Sequence, residues 1–253
     1  MSDLFKMPTE VVDLPSKGLV YPESSPLSKG QVEMKYMTAR EEDILTNISF
    51  VRQGIVIDKL LESMIVTPID YNQLITADRE HLMLAARILG YGKDYKFKYT
   101  DPETGLTKDI TVDLSEVKDK EFDESKYTKG KNEFTYTLPT SGVEVTFKLL
   151  TLKDEKDIDA GAKNMKKVAP NKSEEITSRL KKTIIAVNGN RDQKIIAEFV
   201  DNHLLAKDSR ALREYIADMS PGVELTFSYS RDNGEVVEGL QIPITVDFFW
   251  PTS

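Results

Sequence analysis

Two histidines, His81 and His203, are the only imidazoles in this chain, and it has no cysteine. Without cysteine there is no disulfide, no thiolate metal site and no sulfur nucleophile, which suits a chain matured in a reducing compartment. His81 lies between Asp78 and Leu82 in a helical stretch and reads as a solvent-facing or half-buried side chain. His203 follows Asp201, but helical residues two apart do not face each other, so the pair is no dyad. Three acidic clusters invite a metal reading: Glu41-Glu42-Asp43, Asp154-Glu155-Lys156-Asp157 and Asp232-Asn233-Gly234-Glu235. The first two fall in the first turns of expected helices, where carboxylates offset the helix dipole. The third is a hairpin turn without the ligand series of a calcium loop. Gly90 and Gly92 stand at a helix end, whereas a phosphate loop needs glycines at a helix start. No Gly-x-Ser-x-Gly elbow occurs. The sequence therefore assigns no catalytic, cofactor-binding or metal residue and implies no cofactor.

One basic run stands out, Lys163, Lys166, Lys167 and Lys172 followed by Arg179, Lys181 and Lys182. It reads either as a patch for nucleic acid or an acidic partner, or as a solvated helix face. No aromatic side chains interleave with it as base stacking requires, and the net charge of −8 opposes bulk affinity for polyanions. Nucleic acid is thus not the expected partner. Two alternatives stay open: a carboxylate-based hydrolase with Asp/Glu pairs meeting between the two halves, and a nucleic-acid module built on residues 163–182.

The elements that would position these groups read as α+β. Hydrophobic content of 40% with 30% charged residues is ordinary for a globular chain of 253 residues. No run approaches the roughly 18 apolar residues of a membrane span, and no secretory signal opens the chain. Residues 1–30 hold four of the eleven prolines (Pro8, Pro15, Pro22, Pro26), so this part is expected to be an extended arm rather than a helix. Its apolar residues imply packing, on the body of the protein or on a neighbour.

Internal similarity governs the rest. Asp78, Leu82, Leu89, Gly92, Phe97 and Tyr99 recur 130 residues later as Asp208, Leu212, Met219, Gly222, Phe227 and Tyr229, an amphipathic helix feeding a hairpin. The hairpin ends Ile110–Asp113 and Ile244–Asp247 recur at 134. Val32-x-Met34-Lys35-x-x-Thr38-x-x-Glu41 recurs at 113 as Val145-x-Phe147-Lys148-x-x-Thr151-x-x-Asp154, a strand leading to a capping box. Leu14-Pro15 and Leu138-Pro139 precede the two strands. Helices are expected over 55–65, over 176–187 (Ile176, Leu180, Ile184 and Val187 on one face), and over 195–204. The layout is a 1–30 arm, a first repeat 31–115, a charged linker 116–131 acting as a hinge, and a second repeat 132–253 with an aromatic tail. Each repeat is a short strand or hairpin, a few helices and a C-terminal β-hairpin.

The string Leu14-Pro-Ser-Lys-Gly18-Leu-Val-Tyr21-Pro22, followed by Leu27-x-x-Gly30-x-Val32-x-Met34-x-x-Met37-Thr38-Ala-Arg-Glu-Glu42-Asp43-Ile-Leu45-Thr46-Asn47, resembles the T4-type bacteriophage baseplate protein family. Asp78-Arg79, Arg87, Tyr91-Gly92, Tyr95, Asp113-Leu114 and Phe248-Phe249-Trp250-Pro251 fit the same resemblance, which extends over nearly the whole chain. Some relatives carry cysteine pairs in the hairpins; this chain has none, so no metal site follows. The resemblance implies a non-enzymatic structural or assembly protein of a contractile-tail central hub. It would act through contacts with other hub or tape-measure proteins, in the host cytoplasm during assembly and in the virion. Leu14, Pro15, Gly18, Tyr21 and Pro22 of the arm, with Phe248, Phe249 and Trp250 of the tail, are the expected partner-binding residues.

Overall fold

A computed structural model describes residues 7–168, 174–244 and 248–250. Strands β1 (Thr9–Asp13) and β2 (Gln31–Lys35) pair antiparallel, Thr9 opposite Lys35 and Asp13 opposite Gln31. Between them the chain folds back on itself, with the Leu14 N–H donating to the Gly30 carbonyl at 2.8 Å. Gly18, at φ +75°, sits where an added Cβ would lie 2.6 Å from the Gly30 nitrogen, so only glycine permits this crossing. The proline-rich arm is thus a strand and a compact turn with one 3-10 segment, Pro26–Lys29, opened by proline at its first position. It packs within its own chain: Leu14, Val20, Tyr21 and Leu27 are buried.

Thr38 opens α1 (Ala39–Leu45), and the Glu41 carboxylate accepts from the Thr38 N–H at 3.0 Å and its hydroxyl at 2.6 Å. Short helices α2 (Ile48–Gln53) and α3 (Val56–Met64) follow, then α4 (Thr76–Tyr91), stopped at Gly92. Leu82, Ala86 and Leu89 of α4 face the core, as their helical spacing requires. β3 (Asp94–Thr100) and β4 (Thr107–Asp113) form the first hairpin, with Phe97 opposite Ile110.

In the second half, β5 (Phe134–Thr137) and β6 (Glu144–Phe147) pair antiparallel and lead to α5 (Leu152–Val168) and α6 (Glu175–Thr183). The helix expected to run to Val187 stops at Thr183. Ile184–Val187 is instead strand β7, which pairs with β6 to complete a three-stranded sheet. A helical stripe and a short buried strand share the same apolar spacing here, and β-branched Ile184, Ile185 and Val187 favour the strand. The first half has a lesser counterpart beside β2: a bridge from Met34 to Ile65, and a Val66 N–H bond to the Glu33 carbonyl at 2.8 Å.

The helix expected over 195–204 is split into α7 (Gln193–Glu198) and a π-helical turn, Phe199–His203. α8 (Ala206–Met219) then leads into the second hairpin, β8 (Thr226–Ser230) with β9 (Val236–Gln241). β9 ends before Ile244; residues 245–247 of the expected Ile244–Asp247 strand end lie outside the described residues. Strand pairing follows the 130-residue spacing rather than 134: Lys96 faces Thr111, and Thr226 faces Gln241.

One apolar cluster takes in side chains from Leu14 to Phe249 and joins both halves. Charged residues 116–131 are tied to each side. The Gly130 N–H donates to the Leu19 carbonyl at 2.8 Å, the Lys120 N–H to Gly222 at 2.9 Å, and the Tyr127 hydroxyl to Met219 at 2.6 Å. No helix among the described residues is long and apolar enough to cross a membrane.

Candidate functional site

Asp78 and Asp208 each sit in the first turn of a long helix, α4 and α8, and both are fully buried. Neither caps its own helix. Asp78 reaches into the β1–β2 turn, where it accepts from the Ser16 N–H (3.0 Å), the Ser16 hydroxyl (2.7 Å) and the Tyr21 hydroxyl (2.5 Å). Asp208 reaches into the β5–β6 turn and accepts from the Thr140 N–H (2.8 Å) and the Ser141 N–H (3.0 Å). Both turns read Leu-Pro-Ser/Thr-x-Gly, Leu14 to Gly18 and Leu138 to Gly142. The Leu-Pro pair is visible in the sequence, whereas nothing local ties either turn to an aspartate more than sixty residues away. Burial pushes the Asp78 carboxyl up to about 6 against these three donors. At Asp208 burial also works upward, but the donors at Ser141 and Thr140 win and hold it below the usual carboxylate range.

The other buried carboxylates are engaged in the same way. Glu41 accepts from Lys35 (2.8 Å), Ser63 (2.6 Å) and Thr38; burial opposes this, yet the donors hold it at about 2. Asp154 holds the corresponding place after β6. It is bound by Lys148 at 2.7 Å and 2.8 Å and by the Thr151 hydroxyl, which outweigh burial and lower its pKa.

The acidic clusters are likewise occupied. Glu155 and Arg179 form a two-pronged pair at 2.8 Å and 2.6 Å, Asp157 pairs with Lys182, and Asp232 pairs with Lys108. Of the basic run, Arg179 and Lys182 are therefore neutralised, and Lys181 meets Asp201 at 2.7 Å. Asp201 thus faces a lysine rather than His203, whose Nε2 lies 3.7 Å from Glu198. The side chains of Lys166, Lys167 and Lys172 lie outside the described residues. His81 is half-buried, its Nδ1 3.3 Å from Asp119, and burial lowers its pKa. Among the described residues no group of three or more His, Cys, Asp or Glu is placed to hold a metal ion.

Two clefts remain. The larger, about 500 Å³, lies among α4, α5, α6 and α8, floored by Ile75, Leu149, Leu180 and Ile216. Burial raises the Glu80 carboxyl at its rim, Arg79 opposing, while Glu155 on the same wall is taken by Arg179. Three carboxylates line this cleft, Glu80, Glu155 and Glu175, and the Glu155–Arg179 chelate engages one of them. The second cleft, about 440 Å³, lies between β4 and β8 and is predominantly polar.

The two hairpins meet through matched positions. The rings of Phe97 and Phe227 are 5.1 Å apart and those of Tyr99 and Tyr229 5.4 Å. Arg231 grips Asp101 with two nitrogens (2.8 and 3.2 Å) and also Glu103 and Glu235. Asp101 is buried, and Arg231, followed by the Glu103 N–H, holds its carboxyl at about 2. Each of these three pairs joins residues 130 apart in sequence, a signal that could have placed Arg231 at the contact.

Of the residues expected to bind partners, Leu14, Pro15, Gly18 and Tyr21 are buried in the chain's own core, as are Phe248 and Phe249. Phe248 stacks edge-on against Tyr95, whose hydroxyl donates to the Pro243 carbonyl at 2.8 Å. Pro22 is exposed and Trp250 half-buried.

No curated protein and no solved structure matches the chain. Residues 7–250 match the family model described as T4 bacteriophage base plate protein. With nearly its whole length matched, the chain belongs to this T4 bacteriophage base plate family, a structural protein of the phage baseplate.

Proposed function

We propose that the chain serves in the central hub of the contractile-tail baseplate as a non-enzymatic structural or assembly protein, acting only through contacts with other chains. What supports this reading is the state of its acids. Glu41, Asp78, Asp101, Asp154 and Asp208, the buried carboxylates a hydrolase would draw on, each hold a turn, a helix start or the hairpin contact. The partners are other hub or tape-measure proteins, met in the host cytoplasm before the chain joins the particle.

The layout proposed is two modules, 31–115 and 132–253, produced by duplication, with arm 1–30 and connection 116–131. Supporting it are the paired Leu-Pro turns pinned by Asp78 and Asp208, the paired Lys35–Glu41 and Lys148–Asp154 bridges, and contacts between residues 130 apart. Contacts of a position with its own counterpart are what a twofold relation produces. Of the eight arm and tail residues expected to bind partners, Pro22 and Trp250 are the two that the core does not bury, and they are kept as the proposed contacts.

The test is to capture the tagged chain from infected cells, identify what accompanies it, and search finished particles for it by mass spectrometry. Hub proteins in the capture support the reading, and presence or absence in the particle separates permanent component from transient factor. Capture of no tail protein, or a hydrolytic activity abolished by Glu80→Gln, refutes it.

A further inference from the structure

We propose that the groove between β4 and β8 is a strand-addition site that accepts an extended, lysine-bearing segment of a neighbouring protein. This rests on the reading that the chain works by contact, and it names the contact. The groove is lined by Thr111, Val112 and Asp113 on one side and Thr226, Phe227 and Ser228 on the other. Consecutive residues of a strand point to opposite faces, so a wall made of three in a row is the strand's backbone edge rather than its face. Among the described residues β4 is hydrogen-bonded only to β3, and β8 only to β9. Both are thus edge strands on this side, the condition under which an added strand is held by main-chain bonds, with the Thr226 N–H of β8 already taken by the Glu224 carbonyl at 2.7 Å.

The gap has fixed ends. At its base Asp119 bridges Val223, with the Lys120 N–H on the Gly222 carbonyl at 2.9 Å and the Glu224 N–H on Lys118 at 2.8 Å. At the tips Lys108 pairs with Asp232, and Arg231 with Asp101. The two strands thus leave the bridge as antiparallel neighbours, separate, and are tied again at their far ends. A segment laid between them runs parallel to one edge and antiparallel to the other, whichever end enters first.

Charge selects the occupant. Asp113 is engaged by Lys93 at 2.6 Å, but the side-chain carboxylates of Glu116 and Glu224 on the groove wall carry no hydrogen bond or ion pair among the described residues. Lys118 is the single basic lining residue, so the wall favours an incoming segment with lysine or arginine beside alternating Thr and Val.

The experiment uses the full chain and a fluorescent Lys-Thr-Val-Thr-Val-Lys peptide, read by anisotropy. A backbone N-methylated peptide keeps every side chain and loses its donors; it is expected to bind about tenfold or more weakly. Glu116→Lys/Glu224→Lys should weaken the parent peptide and tighten a Glu-Thr-Val-Thr-Val-Glu version. Because the chain has no cysteine, Thr111→Cys/Ser228→Cys can be bridged by a bis-maleimide to shut the groove, with circular dichroism confirming an unchanged fold. Loss of binding on bridging supports the site. No binding by the parent peptide, equal binding of the N-methylated one, or binding that survives bridging overturns it. Bridged protein that loses the peptide yet enters baseplates normally overturns this groove as an assembly contact, while leaving the contact-only role of the chain standing.

Discussion

Tyr21 offers the sharpest test of the buried turn clamp, because its hydroxyl works in two directions. It donates to Asp78 at 2.5 Å and accepts from the Ile75 N–H at 3.1 Å, all three groups being buried. Tyr21→Phe keeps the ring and removes both bonds. Loss of a hydrogen bond to a charged acceptor costs about 1.5–3 kcal/mol, and an abandoned buried amide about 1–3 kcal/mol. The two share one atom and partly relax, so the expected loss is about 3–4 kcal/mol. For a chain of this length that lowers Tm by roughly 10 °C, at about 2–4 °C per kcal/mol. Calorimetry on the purified protein measures it. A double-mutant cycle with Ser16→Ala, which removes a second donor from the same carboxylate, should show coupling of about 0.5–3 kcal/mol. A Tyr21→Phe protein melting within about 2 °C of the parent would refute the clamp. Unchanged stability with lost partner binding would instead return Tyr21 to the role expected of it from the sequence, that of a docking residue.

Stability should pass through a maximum near pH 4–5. Asp78 titrates near 6 when folded against 3.8 ordinarily, so its proton favours the folded state as pH falls through that window, by about 3 kcal/mol. Glu41, held at about 2, contributes stability above its ordinary 4.5 that is lost below it; urea midpoints from pH 7 to 3 read both limbs, and Asp78→Asn should flatten the upper one. Gly18→Ala should cost at least about 2 kcal/mol, because the added Cβ meets backbone at 2.6 Å, whereas Gly54→Ala, equally left-handed at φ +71° but with open space around it, should cost only about 1 kcal/mol. Arg231→Ala should raise hydrogen exchange in β8 and β9 while leaving α4 protected, since the side chain ties hairpin to hairpin rather than core to core. Equal loss of protection in α4 would contradict that.

The chain's helices were legible where an apolar stripe coincided with a stop signal. Leu82, Ala86, Leu89 and Gly92 place α4 and its end, and Thr38 with Glu41 place the start of α1. Legibility failed at Ile184–Val187, where spacing four residues apart suits a helix and a string of β-branched residues suits a strand. What decides is the free edge of β6, a partner 40 residues away that no local window contains. The burial of the expected docking string was illegible for a related reason. Leu14, Tyr21, Phe248 and Phe249 are apolar residues among prolines, and the same composition serves a sticky arm or a buried one; the difference is set by Asp78, which supplies the polar anchor the Leu14–Tyr21 turn needs to be buried. The site-level lesson concerns identical offsets. Similarity at 130 marks Phe97 with Phe227 and Tyr99 with Tyr229 as equivalent, which by itself speaks for likeness of fold. In the structure these equivalent residues also touch, so the same offset names contacts: it pairs Asp101 with Arg231, two residues unlike in charge, and they form the buried ion pair between the hairpins. An offset at which the residues become complementary instead of similar therefore carries structural information of its own, and here it fixes where one hairpin meets the other.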